Sequence, residues 1–105
     1  MLNDNEIKII GQRTENEYKD TNEALDSTAQ LLVDEGLVKD SYIEAIKKRE
    51  KTFPTGLEFE NYAIAIPHTD SEHVNSEAMV INILEKPVKF GQMGAEDLYT
   101  DVNII

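Results

Sequence analysis

The sequence predicts an α/β sandwich: a mixed β-sheet with two N-terminal helices packed on it. Three observations predict it. Two stretches with helical apolar spacing lie in the first half of the chain. Short runs rich in Ile, Val and Ala fill the second half. The resulting order, strand, two helices, then several strands, suits helices laid against a sheet. With 105 residues, 40% of them hydrophobic, the chain has the material for one modest core, and residues 1–105 are expected to form one domain.

Asn5 to Ile10 (NEIKII) reads as the first strand. Asp20 to Glu35 reads as a helix. Asp20 or Thr21 can cap its start, and Glu23 falls in the first turn. Ala24, Leu25, Thr28, Leu31 and Leu32 follow the 3.6-residue period, and Gly36 is placed to end it. A second helix starts at Asp40 or Ser41, with Glu44 three residues after Ser41 as in a capping box. Tyr42, Ile43 and Ile46 form its apolar side, Arg49 lies near the edge of that side, and Pro54 ends it.

Phe53-Pro54-Thr55-Gly56 is a turn signal. Tyr62 to Ile66 is a short strand, apolar on both faces as in a strand covered on each side. Ala78 to Leu84 is another. Lys86-Pro87 is expected to break it and leave Val88 to Phe90 as a brief edge strand. Gly91 to Asp101 reads as a polar loop, and Val102 to Ile105 as the start of a last strand.

Composition excludes several functions. A net charge of -11 argues against nucleic acid, whose phosphates are bound by clustered Lys and Arg, and against anionic membrane. Without cysteine there is no disulfide, thiolate metal site or thiol nucleophile. No apolar run is long enough to span a bilayer, and the acidic start MLNDNEIKII does not resemble a secretory signal. A soluble, cytoplasmic protein is the expectation. Against the acidic background, Lys47, Lys48, Arg49 and Lys51 gather four of the ten basic residues. They can hold a small anion, or simply complement a helix C-terminus.

His68 carries the most chemistry. It follows the carboxyl end of a predicted strand, the edge where α/β proteins collect ligand and catalytic groups. Pro67 restrains the backbone just before it. Neutral imidazole can be a nucleophile, a base or a metal ligand. The plain alternative is a histidine that caps a strand end. His68, Asp70 and His73 form H-x-D-x-x-H, ligand types suited to zinc, but no fourth ligand is evident and the spacing suits no helix face. Hydrolysis with His68 as base lacks a nucleophile-elbow serine. A third reading is that His68 itself carries a transferred phosphoryl group, with Arg49 supplying donors to its oxygens.

The segment KREKTFPTGLEFENYAIAIPH, Lys48 to His68, resembles the active-site region of enzyme IIA of the bacterial sugar phosphotransferase system, fructose–mannitol class. The F-P-T-G turn and the H-x-x-x-x-H spacing after Pro67 look most like the galactitol-specific branch. The resemblance implies that His68 accepts a phosphoryl group from the phosphocarrier protein HPr and passes it to a cysteine of enzyme IIB. It implies that Arg49, from the R-E pair, stabilises the phosphohistidine. Thr55 matches the turn threonine near the site, and His73 a histidine of galactitol-like relatives, expected at the loop or rim. No metal or cofactor is implied. The resemblance spans roughly residues 5 to 105. Members of that family continue their last strand and add two covering helices, some with a second active-site histidine, and this sequence has neither. A bare apolar sheet face is therefore expected, covered by a partner or a second copy. A non-catalytic regulatory or interaction module derived from enzyme IIA is the rival function.

Overall fold

The computed structural model describes residues 8–76 and 78–105. Its elements are β1 (Lys8–Thr14), α1 (Thr21–Asp34), α2 (Ser41–Thr52), β2 (Gly56–Glu58), β3 (Ala63–Ala65), β4 (Ala78–Gln92) and β5 (Ala95–Ile104). A single 3₁₀ turn, Ser71–His73, lies between β3 and β4. The predicted mixed sheet with two helices is present. Strand order is β1-β4-β2-β3-β5, with β4 also paired to β5. β1 runs parallel to β4, whereas β2–β3 and β4–β5 are antiparallel. Of the first predicted strand, Asn5 to Ile7 lie outside the described residues, and β1 extends past Ile10 to Thr14.

Both helices form where the apolar period places them. The Asp20 side chain accepts the Glu23 N–H at 2.9 Å, and the Glu23 carboxylate in turn accepts the Lys19 N–H at 3.0 Å. At the other end Leu37 N–H reaches Leu32 O and Gly36 N–H reaches Val33 O. Those two bonds make a Schellman turn, which needs the left-handed φ of +71° that Gly36 adopts. The capping box expected at α2 does not form. Ser41 is the first helical residue, and its hydroxyl is bonded to His73 Nδ1 instead.

Two predicted boundaries are overturned. Lys86-Pro87 does not break β4, which runs on to Gln92. Pro87 falls where the β4–β5 register shifts between Ile83 and Val88, and β1 pairing has already stopped at Leu84, so no ladder bond requires its missing N–H. Val88 and Phe90 are consequently core residues rather than an exposed edge. Nor is Gly91 to Asp101 a loop. It is a β-hairpin that turns at Met93-Gly94, with Phe90 opposite Thr100 and Val88 opposite Val102. Along its base Phe90, Thr100 and Val102 turn inward while Lys89 and Asp101 turn to solvent, a period-2 pattern that the polar composition hides.

The helices cover one face of the sheet. Leu25 and Ala24 of α1 pack with Ala63, Ala65, Leu84, Phe90 and Val102. Ala29 and Leu32 join Tyr42 and Ile46 of α2 in a second cluster. Ala78, Val80, Leu84, Val88 and Phe90 of β4 point into these clusters. Odd-numbered Met79, Ile81 and Ile83, with Ile9 of β1 beside Met79, point the other way and are exposed. The expected bare apolar face is thus located. β3 is shorter than its predicted span, and Tyr62 and Ile66 at its two ends are also exposed. Among the described residues no helix is long and apolar enough to cross a membrane.

Candidate functional site

Site residues come together where the C-terminus of α2 meets the ends of β2 and β3. Helix α2 ends at Thr52, and Pro54 carries the chain into β2. The turn is held against the β4–β5 hairpin by close packing. A Cβ on Gly56 would lie 2.6 Å from Gly91 O, and a Cβ on Gly91 would lie 2.9 Å from Pro54 Cβ. Only residues without a Cβ permit that approach, so the F-P-T-G turn has one seat.

That seat buries Thr55 beside Glu50. Glu50 Oε2 accepts the Thr55 N–H at 2.8 Å, and Glu50 Oε1 accepts the Thr55 hydroxyl at 2.8 Å. Burial pushes the Glu50 carboxyl above its ordinary value, opposed by the two Thr55 donors and by the charge of nearby His68. Thr55 Oγ1 then accepts the Ile66 N–H at 3.2 Å. Ile66 is the first residue beyond β3, so Thr55 takes over where the sheet ladder stops.

His68 is exposed, two residues farther on. Its Nδ1 is 2.9 Å from Ile66 O. A carbonyl can only accept, so Nδ1 carries the proton and donates. In the neutral ring Nε2 is then the nitrogen with a free lone pair. The site thus offers a nucleophile or base on a restrained backbone.

Arg49 is exposed one residue before Glu50, and its guanidinium lies over the Phe53 ring at 4.3 Å. Among the described residues no carboxylate pairs with it, which leaves its donors free for an anion. Lys47 of the same basic cluster is already committed. Its ammonium bonds Asp26 of α1 at 2.8 Å and Glu44 at 3.0 Å, and the Asp26 bond is the chief cause of its raised pKa. The cluster is therefore split, with Lys47 facing α1 and Arg49 at the helix end.

His73 is not brought to this end of α2. It lies in the 3₁₀ turn, its Nδ1 2.8 Å from the Ser41 hydroxyl and its carbonyl accepting the Lys39 N–H. Ser41 and Arg49 are eight residues apart, roughly 12 Å along the helix. The Glu50 anchor is the part that sequence reasoning missed. The only signal available was the R-E pair itself, because nothing local says that this glutamate turns inward.

An open apolar cavity of about 490 Å³ reaches His68. Leu25, Leu32, Ile66, Pro67, Val80 and Ile105 are among the residues that line it. Apolar walls offer a polyol few hydrogen-bond partners, so this cavity is unsuited to a sugar.

Comparison with known proteins identifies the family. Residues 9–105 match the family described as phosphoenolpyruvate-dependent sugar phosphotransferase system, EIIA 2. The galactitol-specific EIIA component of Escherichia coli K12 is 35% identical over 75 residues, 71% of this chain and 50% of that protein. The mannitol-specific enzyme IIA component of Staphylococcus aureus N315 is 39% identical over 67 residues, 63% of this chain and 44% of that protein. The chain therefore spans about half the length of the curated relatives it matches. In fold it is similar to a putative PTS IIA (PtxA) from Streptococcus mutans, with a TM-score of 0.68 and 24% identity, covering 92% of this chain and 56% of that one. A putative PTS IIA domain from Streptococcus pyogenes M1 GAS gives 0.70 and 24%, covering 89% and 56%.

Proposed function

The chain belongs to the EIIA 2 family of the phosphoenolpyruvate-dependent sugar phosphotransferase system, and on that premise we propose that His68 is its phosphoryl carrier. One observation carries the proposal: the Nδ1–H of His68 is tied to Ile66 O, which directs the free lone pair to the exposed Nε2.

Nε2 attacks the phosphorus of the phosphohistidine on HPr. A new N–P bond forms, the donor's N–P bond breaks, and its electron pair returns to the donor imidazole. Arg49 binds the phosphoryl oxygens through its fork of N–H groups as charge spreads over them. The group then leaves to a thiolate of enzyme IIB, forming an S–P bond and restoring the neutral His68 ring. Thr55 supports the site through Ile66, and His73 belongs to the rim beside α2. A galactitol-type system fits the F-P-T-G turn, with the sugar selected by the membrane partner, and all of these steps belong in the cytoplasm.

Incubation with phosphoenolpyruvate, enzyme I and HPr tests this by intact mass. The wild type is expected to gain one acid-labile phosphate and His68→Ala none. Arg49→Ala is expected to slow uptake by about 10²-fold, the scale of one lost oxyanion donor. Uptake by His68→Ala at the wild-type rate would refute the carrier. Uptake without onward transfer to a cognate IIB would favour the regulatory module.

A further inference from the structure

Resting on the carrier reading of His68, we infer that Glu50 and Thr55 are positioning residues that select the His68 tautomer by clamping Ile66. The clamp is a continuous set of bonds, each with one possible direction. The Ile66 N–H donates to Thr55 Oγ1, so the hydroxyl proton must point elsewhere, and Glu50 Oε1 lies 2.8 Å away to take it. The Thr55 N–H holds the other carboxylate oxygen. On its far side Ile66 offers its carbonyl to His68 Nδ1.

The N–H and C=O of Ile66 belong to different peptide groups, so the effect is one of placement, not polarisation through a single amide. β3 pairing ends at Ala65, and the sheet supplies no partner for Ile66. Pro67 restricts the backbone immediately after it. Fixing Ile66 at its N–H while Pro67 restrains the other side leaves its carbonyl one direction, toward His68. A carboxylate buried to 4% exposure for the sake of one threonine is a costly arrangement if its only task is to close a turn. Holding the reactive ring in the tautomer with Nε2 free gives that arrangement a purpose. The role parallels the carboxylate that orients a catalytic histidine directly, with a threonine and a backbone carbonyl interposed.

Long-range ¹H–¹⁵N correlation of the imidazole in unphosphorylated protein, at a pH where the ring is neutral, reads the tautomer without any phosphotransferase partner. The wild type is expected to be mainly Nδ1–H. Thr55→Val removes the acceptor for Ile66 and is expected to lower the Nδ1–H to Nε2–H ratio about fivefold, the equivalent of one hydrogen bond. Thr55→Ser restores the hydroxyl and keeps the wild-type tautomer. Glu50→Gln, similar in shape, reads the same ratio if Thr55→Val does not fold, and a fall in the same direction is expected.

A wild-type ring that is mainly Nε2–H overturns the inference. So does an unchanged tautomer in folded Thr55→Val or Glu50→Gln. The two readings fail separately. Tautomer shifts without phosphate uptake by wild type would uphold the clamp and sink the carrier. Uptake by wild type with no tautomer shift in the variants would uphold the carrier and sink the clamp.

Discussion

Glu50 has both carboxylate oxygens occupied by one residue, Thr55, in a place almost free of water. Burial raises its pKa, so the native chain holds this proton more tightly than the unfolded chain does. The sign follows: wild-type stability contains a term that falls as pH rises from about 4, the ordinary glutamate range, through the raised native value. Above that value the loss is complete. Glu50→Gln removes the titration, and its urea midpoint is expected to vary less with pH over that window. An identical pH slope in both proteins would show that Glu50 is not the group responsible. Such a residue is invisible to pattern reading. Its neighbours Arg49 and Lys51 face solvent, and only the seat of Thr55 determines that Glu50 turns inward.

At the scale of elements, the turn after α2 and the β4–β5 hairpin specify each other. Gly56 sits under Gly91 O with no room for a methyl group. Gly56→Ala is expected to cost about 1–3 kcal/mol through overpacking, with thermal unfolding as the check. An unchanged melting temperature would mean that the two backbones separate freely. The helices and β3 were legible because apolar period, cap residues and the A-I-A-I run all agree locally. The continuous β4 and the hairpin were not. Proline and polar residues argue for a break unless the chain is known to shift register there. The capping box at Ser41 and Glu44 fails for a similar reason, because the partner that Ser41 takes, His73, lies 32 residues away.

At the scale of the molecule, one sheet face is packed under two helices and the other carries Ile9, Met79, Ile81 and Ile83 in the open. Ile9→Lys with Ile83→Glu, the latter opposite Arg13, replaces two of these four. We expect lower binding of a hydrophobic dye and less self-association by sedimentation, with stability changed by only about 0.5 kcal/mol, as for other surface sites. Equal dye binding by the variant and the wild type would mean that this face is not the exposed apolar surface in solution. A charge of -11 keeps copies apart at neutral pH and weakens their repulsion near the pI of about 4.4, where association should be greatest.

By itself the sequence determined the fold class, the two helices and the placement of His68 after a strand, because those depend on local period, turns and strand propensity. It also singled out Arg49 and Thr55, through one contiguous motif. Tertiary structure alone decided that Lys47 turns to α1 and that His73 stands at the far end of α2 from Arg49. It alone decided which nitrogen of His68 carries the proton. Each of those outcomes depends on a partner brought near by folding, and a hydrogen bond is specified by position in space, not by order along the chain.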